Sequence, residues 1–286
     1  MKFGLMYANA GPFGTPALLA HLARTAESCG FESIWTVEHV VIPKGFKSRY
    51  PYSPDGKLPG PDDVPIPDPI LPLAFAAAVT TKLRLATGVV ILPQRHPLYL
   101  AKEMATLDQL SGGRAILGIG SGWLEEEFQS LGIDFHARGA RTDESIQAMR
   151  ALWCDNESSF HGKHFNFGPV MSYPKPVQNG GVPVHVGGHS PAAARRAGRY
   201  GDGFLAGVGE PAKLKELFAI AKEECARRGR KFEELELSCR GRPEAGFVKA
   251  VQDLGVKRIA IPPPAFDPEG LTRGLEKIAN DVIAKV

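Results

Sequence analysis

The sequence predicts an α/β chain folded as a single (β/α)8 TIM barrel across residues 1–286, with a long loop after strand two and a β-hairpin before strand five. Three observations carry this. Eight short, apolar, β-branched runs alternate with helix-length segments, which favours a closed barrel over a doubly wound sheet. The length of 286 residues suits a barrel of about 250 residues with modest insertions. Residues 83–128 read strand, helix, strand with short joints, a βαβ unit whose two strands run parallel.

Taken in order, residues 3–7 make the first strand and 15–29 its amphipathic helix, closed by Gly30. Residues 33–37 form the second strand and deliver Glu38 and His39 at its C-terminal end. The stretch 40–69 is crowded with Pro and Gly and has no strand or helix period. Loops this long usually serve as lids or binding loops. Lys44, Lys47, Arg49, Tyr50 and Tyr52 equip this one to touch an anionic, planar ligand, and a solvated excursion without chemical importance is the other reading.

An alanine-rich helix over 68–80 leads into the third strand, which ends at Pro93. Pro97 opens a helix with Leu100, Met104 and Leu107 at helical spacing, and Ser111-Gly112-Gly113 stops it. Residues 115–119 form the fourth strand, ending in Gly118, Gly120 and Gly122 with Trp123 behind them. A short helix, a turn at 131–135 and a helix over 141–153 follow, and 160–173 alternates as a hairpin does. The remaining strands are 184–186, 203–206, 235–238 and 258–261, with helices over 192–200, 211–228, 243–254 and 268–285.

A net charge of +3 with no Lys/Arg block argues against a nucleic-acid partner. No apolar run approaches the roughly 20 residues of a membrane span, and the first strand starting beside Met1 leaves no room for a signal peptide. Cys29, Cys154, Cys225 and Cys239 lack paired spacing and read as reduced, mostly packed thiols of a cytoplasmic protein. His136, His161 and His164 lie in loops and the hairpin, without the spacing of a metal site. His185, inside a strand, reads as packed.

In such barrels the chemistry sits at the C-terminal ends of the strands. Gly187 and Gly188 end the fifth strand, Ser190 stands in N-cap position and Pro191 at the first helical position. Free amides and the helix dipole there suit a phosphate, and a well-capped plain turn is the alternative. The turn Gly118-x-Gly120-Ser121-Gly122-Trp123 fails as a dinucleotide fingerprint, because Trp123 stands where a third small residue belongs. It reads better as an open backbone platform for a flat ring. His39 beside Glu38 is the acid–base candidate, with Glu38 orienting it, against the bland reading of a structural histidine. Arg95 and His96 are expected to rim the same pocket.

These pieces resemble the bacterial luciferase-like monooxygenase superfamily, in its branch of oxidoreductases dependent on the deazaflavin coenzyme F420. The resemblance is carried by LATGVVILPQRHPLYLAKEMATLDQLSGGRAILGIGSGWLEEEF, HARGARTDESIQAMRALW and VHVGGHSPAAARRAGRYGDGF, and runs to about Gly207. It implies a ring bound at the C-terminal face, backed by a non-prolyl cis peptide that here falls on Gly88-Val89. It implies that Gly187, Gly188, His189 and Ser190 hold the cofactor phosphate. Gly120, Ser121 and Trp123 would lie beside the ring, and His39 would bind substrate or handle a proton. Three departures stand out: Trp123 where sugar-phosphate dehydrogenases of this branch carry an acid, Glu126 where they carry Asn, and Glu38 in place of Asp. A sugar phosphate is therefore not the expected substrate, and a more apolar pocket is.

The implied activity is hydride transfer between F420 and a small organic substrate. An FMN-dependent monooxygenase and a catalytically idle flavin-binding protein are the rival readings, and a flavin-free aldolase ranks last. Arg95, with Lys44, Lys47 and Arg49, is a candidate for the acidic tail of F420. Relatives imply a homodimer through the helices at 68–80 and 97–110.

Overall fold

Lys2–Leu5 forms β1, and Pro16–Ser28 forms α1, which returns to β2 at Ser33–Thr36. This computed structural model describes residues 1–61 and 63–286; Asp62, within the predicted 40–69 loop, lies outside the described residues. Ile70–Val79 is α2 and precedes β3 (Arg84–Thr87) and β4 (Val90–Ile91). These two are the halves of the predicted third strand, broken at Gly88-Val89, whose peptide bond is cis. Pro97–Ser111 is α3, ended by Gly112 at φ 67 as a left-handed cap requires. Then come β5 (Ala115–Gly120), α4 (Glu125–Ser130) and α5 (Arg138–Cys154). Helix α5 starts at Arg138 rather than at the predicted residue 141, because Asp134 and a 3-10 turn feed directly into it.

The expected hairpin is β6 (Ser158–His161) against β7 (Asn166–Val170), antiparallel and outside the barrel. Strand β8 (Val184–Gly188) is followed by α6 (Pro191–Tyr200), β9 (Gly203–Ala206) and α7 (Pro211–Arg227). Strand β10 (Glu236–Arg240) runs two residues past its predicted end. Helix α8 (Ala245–Gln252), β11 (Arg258–Ile261) and α9 (Pro268–Asp281) complete the chain of elements.

The strand order is β3-β2-β1-β11-β10-β9-β8-β5-β4, and β3 also pairs with β5. With β3 and β4 sharing one position, the described residues make a closed barrel of eight staves, parallel throughout. The large apolar core fills the layer between staves and helices. Inside the barrel, Met6, Trp35, Ala86, Ile116, Leu205 and Ala260 form a separate plug.

Below that plug the interior is charged. The Arg258 side chain is fully buried, 2.7 Å from Glu32 and paired also with Glu236, and its guanidinium faces the Trp35 ring at 5.4 Å. His185 packs there too, as expected, with its ring 6.0 Å from that of Trp35. Among the described residues no helix is long and apolar enough to cross a membrane. The plug and charge network close the lower end, so the chemistry is confined to the upper mouth.

Candidate active site

The C-terminal ends of the staves open into a cavity of about 1000 Å³. Most positions singled out from the sequence line it: Glu38, His39, Gly88, Val89, Gly120, Ser121, Trp123, Gly187, Gly188, His189 and Ser190. The Val89 side chain lies between β5 and β8. A Cβ on Gly120 would stand 2.7 Å from one Val89 methyl, and a Cβ on Gly187 would stand 2.5 Å from the other. Glycine is needed at both positions because Val89 occupies that space. The result is a floor of one branched side chain flanked by bare backbone, suited to a flat ring.

Beside this floor lies a cationic corner. Ser190 caps α6, its hydroxyl accepting the Ala193 amide at 3.2 Å, a contact worth about 1 kcal/mol. From the second turn of α6, Arg196 donates to the Ser121 hydroxyl at 3.1 Å and pairs with Asp143. Arg138 lies across the Phe135 ring at 3.7 Å and also lines the cavity. Burial, with Lys213 nearby, pushes the His189 imidazole below its usual range. Its Nδ1 is buried without a partner among the described residues. The corner therefore offers cations, an orphaned ring nitrogen and a helix N-terminus to one anionic group.

His39 does not pair with Glu38, contrary to the sequence expectation. Its Nδ1 meets the Glu127 carboxylate at 3.0 Å, and that carboxylate also accepts the Val40 amide at 2.6 Å. Glu38 turns away: it accepts the Arg95 Nε at 2.7 Å and the Ile91 amide. Neighbouring residues on an extended chain point to opposite sides, so Glu38 can serve Arg95 while His39 faces Glu127. Burial raises the Glu38 carboxyl, with Arg95 opposing it. With Nδ1 taken by Glu127, His39 Nε2 is the ring nitrogen left to a ligand.

Two further expectations are corrected. Arg95 is engaged by Glu38 and Asp68 and lines no part of the cavity. His96 caps α3 and faces a separate groove with Tyr99 and Met171. Lys44, Lys47 and Arg49 are exposed and also stand outside the cavity lining. The arginines that do line it are Arg138, Arg196 and Arg240.

The 40–69 loop folds over the mouth rather than into solvent. Trp123 packs edge-on against His39 at 5.7 Å and Tyr50 at 5.2 Å, and Tyr52 reaches the His189 ring at 4.8 Å. Glu126 anchors the loop by accepting the Lys47 amide at 2.7 Å and the Ser48 amide. Those hydrogen bonds, Lys47 first, hold its carboxyl down to about 2. Burial pushes the Tyr50 hydroxyl up to about 12, so it stays a donor at neutral pH.

Sequence reading missed Glu127, Arg138, Arg196 and Arg240. Arg196 sits three residues beyond Ala193 and six beyond Ser190, on one helix face, a spacing that was available. Arg240 ends a strand, but that strand's predicted end fell short of it. Glu127 lies 88 residues from its histidine, and nothing local announces it.

Comparisons with known proteins agree with this geometry. The sequence model of the luciferase-like monooxygenase family matches residues 1–245. An uncharacterised protein of Mycobacterium tuberculosis is 35% identical over 275 residues, which cover 93% of this chain and 94% of that protein. The F420-dependent glucose-6-phosphate dehydrogenase of Kineococcus radiotolerans is 31% identical over 199 residues, 68% of this chain and 53% of that enzyme. The crystal structure of monooxygenase RslO1 from Streptomyces bottropensis superposes with a TM-score of 0.78 at 24% identity, over 99% of both chains.

Proposed function

The chain belongs to the luciferase-like monooxygenase family, and from that premise we propose that it is an oxidoreductase using the deazaflavin coenzyme F420 on a small organic substrate. The observation that carries this is the cavity floor, with Val89 set between Gly120 and Gly187 and a cationic corner beside it. A planar ring fits against Val89, and a ribityl phosphate fits the corner of Ser190, His189, Arg138 and Arg196. The unpartnered His189 nitrogen is the polar atom such a phosphate would satisfy.

When bound, the deazaflavin supplies the hydride-transfer chemistry. The chain's own residues do the rest. His39 Nε2 is placed to take a proton from a substrate oxygen or return one, and Glu127 fixes the tautomer by accepting the Nδ1 proton. Glu127 replaces Glu38 in that positioning role. Trp123, Tyr50 and Tyr52 close the mouth and exclude water.

The choice of F420 over FMN is supported by the name of the 31%-identical dehydrogenase. An FMN-dependent monooxygenase is the second reading, favoured by the family's name and by a corner that suits either phosphate. Equilibrium titration of the purified protein with each cofactor, followed by fluorescence, separates them. F420 is expected to bind and FMN to bind weakly or not at all; tight FMN binding without F420 binding overturns the proposal.

Gly187→Ala is expected to weaken F420 binding at least about tenfold, since the new methyl must displace Val89 and tilt the floor. The same titration reads it, and unchanged affinity would show that the ring lies elsewhere. A homodimer is also proposed, through the exposed Leu71 and Phe75 of α2 with Tyr99 and Leu110 of α3. Sedimentation velocity is expected to give a dimer; a monomer at high concentration would remove this proposal.

A further inference from the structure

We propose that the substrate carries a single carboxylate, and that Arg240 with the Tyr7 hydroxyl holds it on the side of the cavity facing the glycine floor. This rests on the reading of the cavity as a cofactor-dependent oxidoreductase site. The strand order divides the mouth into two arcs. The arc β4, β5, β8 supplies Val89, Gly120 and Gly187. The arc β2, β1, β11, β10 ends in His39, Tyr7, Pro262 and Arg240. With a ring on the first arc, a substrate lies against the second, within reach of His39.

Arg95, Arg196 and Arg258 are each neutralised by a carboxylate. Arg240 has none among the described residues. Its guanidinium donates to the Tyr7 hydroxyl at 2.8 Å and also stands beside the Tyr50 hydroxyl. The rings of Tyr7 and Tyr52 lie 5.9 and 5.8 Å from its guanidinium carbon. A guanidinium has five N–H donors in a planar fork, so two tyrosine hydroxyls leave part of its capacity to the cavity that it lines. Tyr7 is itself held at φ 61, a region that non-glycine residues enter rarely and often at functional sites.

The charge count selects the anion. One guanidinium on this arc matches one negative charge. A phosphate monoester, near −2 at neutral pH, would call for a second cation, and the other two cavity arginines stand at the opposite corner. A planar carboxylate also matches the guanidinium fork in two parallel bonds. Apolar side chains of this arc that line the cavity are Met6, Val37 and Phe266. The substrate class is therefore an apolar or aromatic monocarboxylic acid, anchored so that its reacting carbon lies between His39 and the ring.

The test uses the F420-loaded protein and matched probe pairs: benzoate with benzamide, phenylacetate with phenylacetamide, and hexanoate with hexanamide, titrated by calorimetry. At least one acid is expected to bind at least about tenfold more tightly than its amide. Arg240→Met is expected to abolish that preference, and Arg240→Lys to restore part of it, while F420 affinity stays at the wild-type value. Absence of acid binding, equal binding of acid and amide, or retention of the preference in Arg240→Met would overturn the proposal. Loss of F420 affinity in Arg240→Met would also overturn it, by assigning the arginine to the cofactor. The same titrations on the cofactor-free protein keep the two readings apart: failure of F420 to bind sinks the proposed function, while the acid–amide preference still reports on Arg240.

Discussion

Replacing His39 by Asn is expected to lower turnover by about 10²–10⁴-fold, the usual worth of a positioned acid–base group. Asn keeps an amide near the place of Nδ1, so the Glu127 carboxylate retains a donor and the loop carrying the Val40 amide stays tethered. What is lost is Nε2, the ring nitrogen that Glu127 leaves free. F420 affinity is expected to stay within about threefold of wild type, because the floor and the cationic corner are built by Val89, Gly120, Gly187 and Ser190 rather than by His39. The measurement is kcat alongside the cofactor Kd, for any substrate the wild type accepts. Unchanged kcat would reduce His39 to a structural role. A parallel loss of cofactor binding would make it part of the cofactor site.

Arg258→Met is expected to cost about 3 kcal/mol of stability, since it removes a fully buried cation from two partly buried carboxylates. Arg258 is fully buried and engages Glu32 and Glu236 from inside the barrel. Burial alone would raise the Glu236 carboxyl, but Arg258, with Lys2, holds it at about 2. Burial, with Arg258 adding to it, pushes His185 down to about 4. Both groups thus have folded-state values below their unfolded ones. Their contributions are present above about pH 6.5 for His185 and about 4.5 for Glu236, and are lost as pH falls through 4 and then 2. Wild-type melting temperature should therefore fall as pH drops from 6.5 toward 4. In the variant, the stranded carboxylates take up protons more readily, so its deficit should shrink below about pH 4.5. Thermal melts of both proteins across this range read the effect, and a deficit that grows in acid would contradict the network.

Much of this architecture is written locally. Alternating apolar runs and helix periods mark the staves, and Ser190-Pro191 announces the start of α6 before any contact is known. The glycines at 120 and 187 are legible as openings, although what fills them, the Val89 side chain, comes from another stave. Side-chain partnership is where local reading ends. Glu38 and His39 are adjacent in sequence but serve different neighbours, Arg95 and Glu127, chosen by how the barrel closes. Arg95 and Lys47 looked equally available to an anion; one is engaged by two acids and the other points to solvent. The loop over 40–69 has no period, so its closure over the mouth depends on Glu126 and Glu127, which sit beyond the fourth stave. The charged lower interior was invisible for the same reason, since Glu32, Glu236 and Arg258 meet only when β2 pairs with β1, β1 with β11 and β11 with β10.

A crystal structure of the protein saturated with F420 tests the central claim most directly. The result expected is a planar ring lying on Val89 between Gly120 and Gly187, its phosphate against Ser190 and Arg196, and His39 on the opposite side of the ring. A ring bound outside this cavity, or a phosphate seated away from the start of α6, would contradict it.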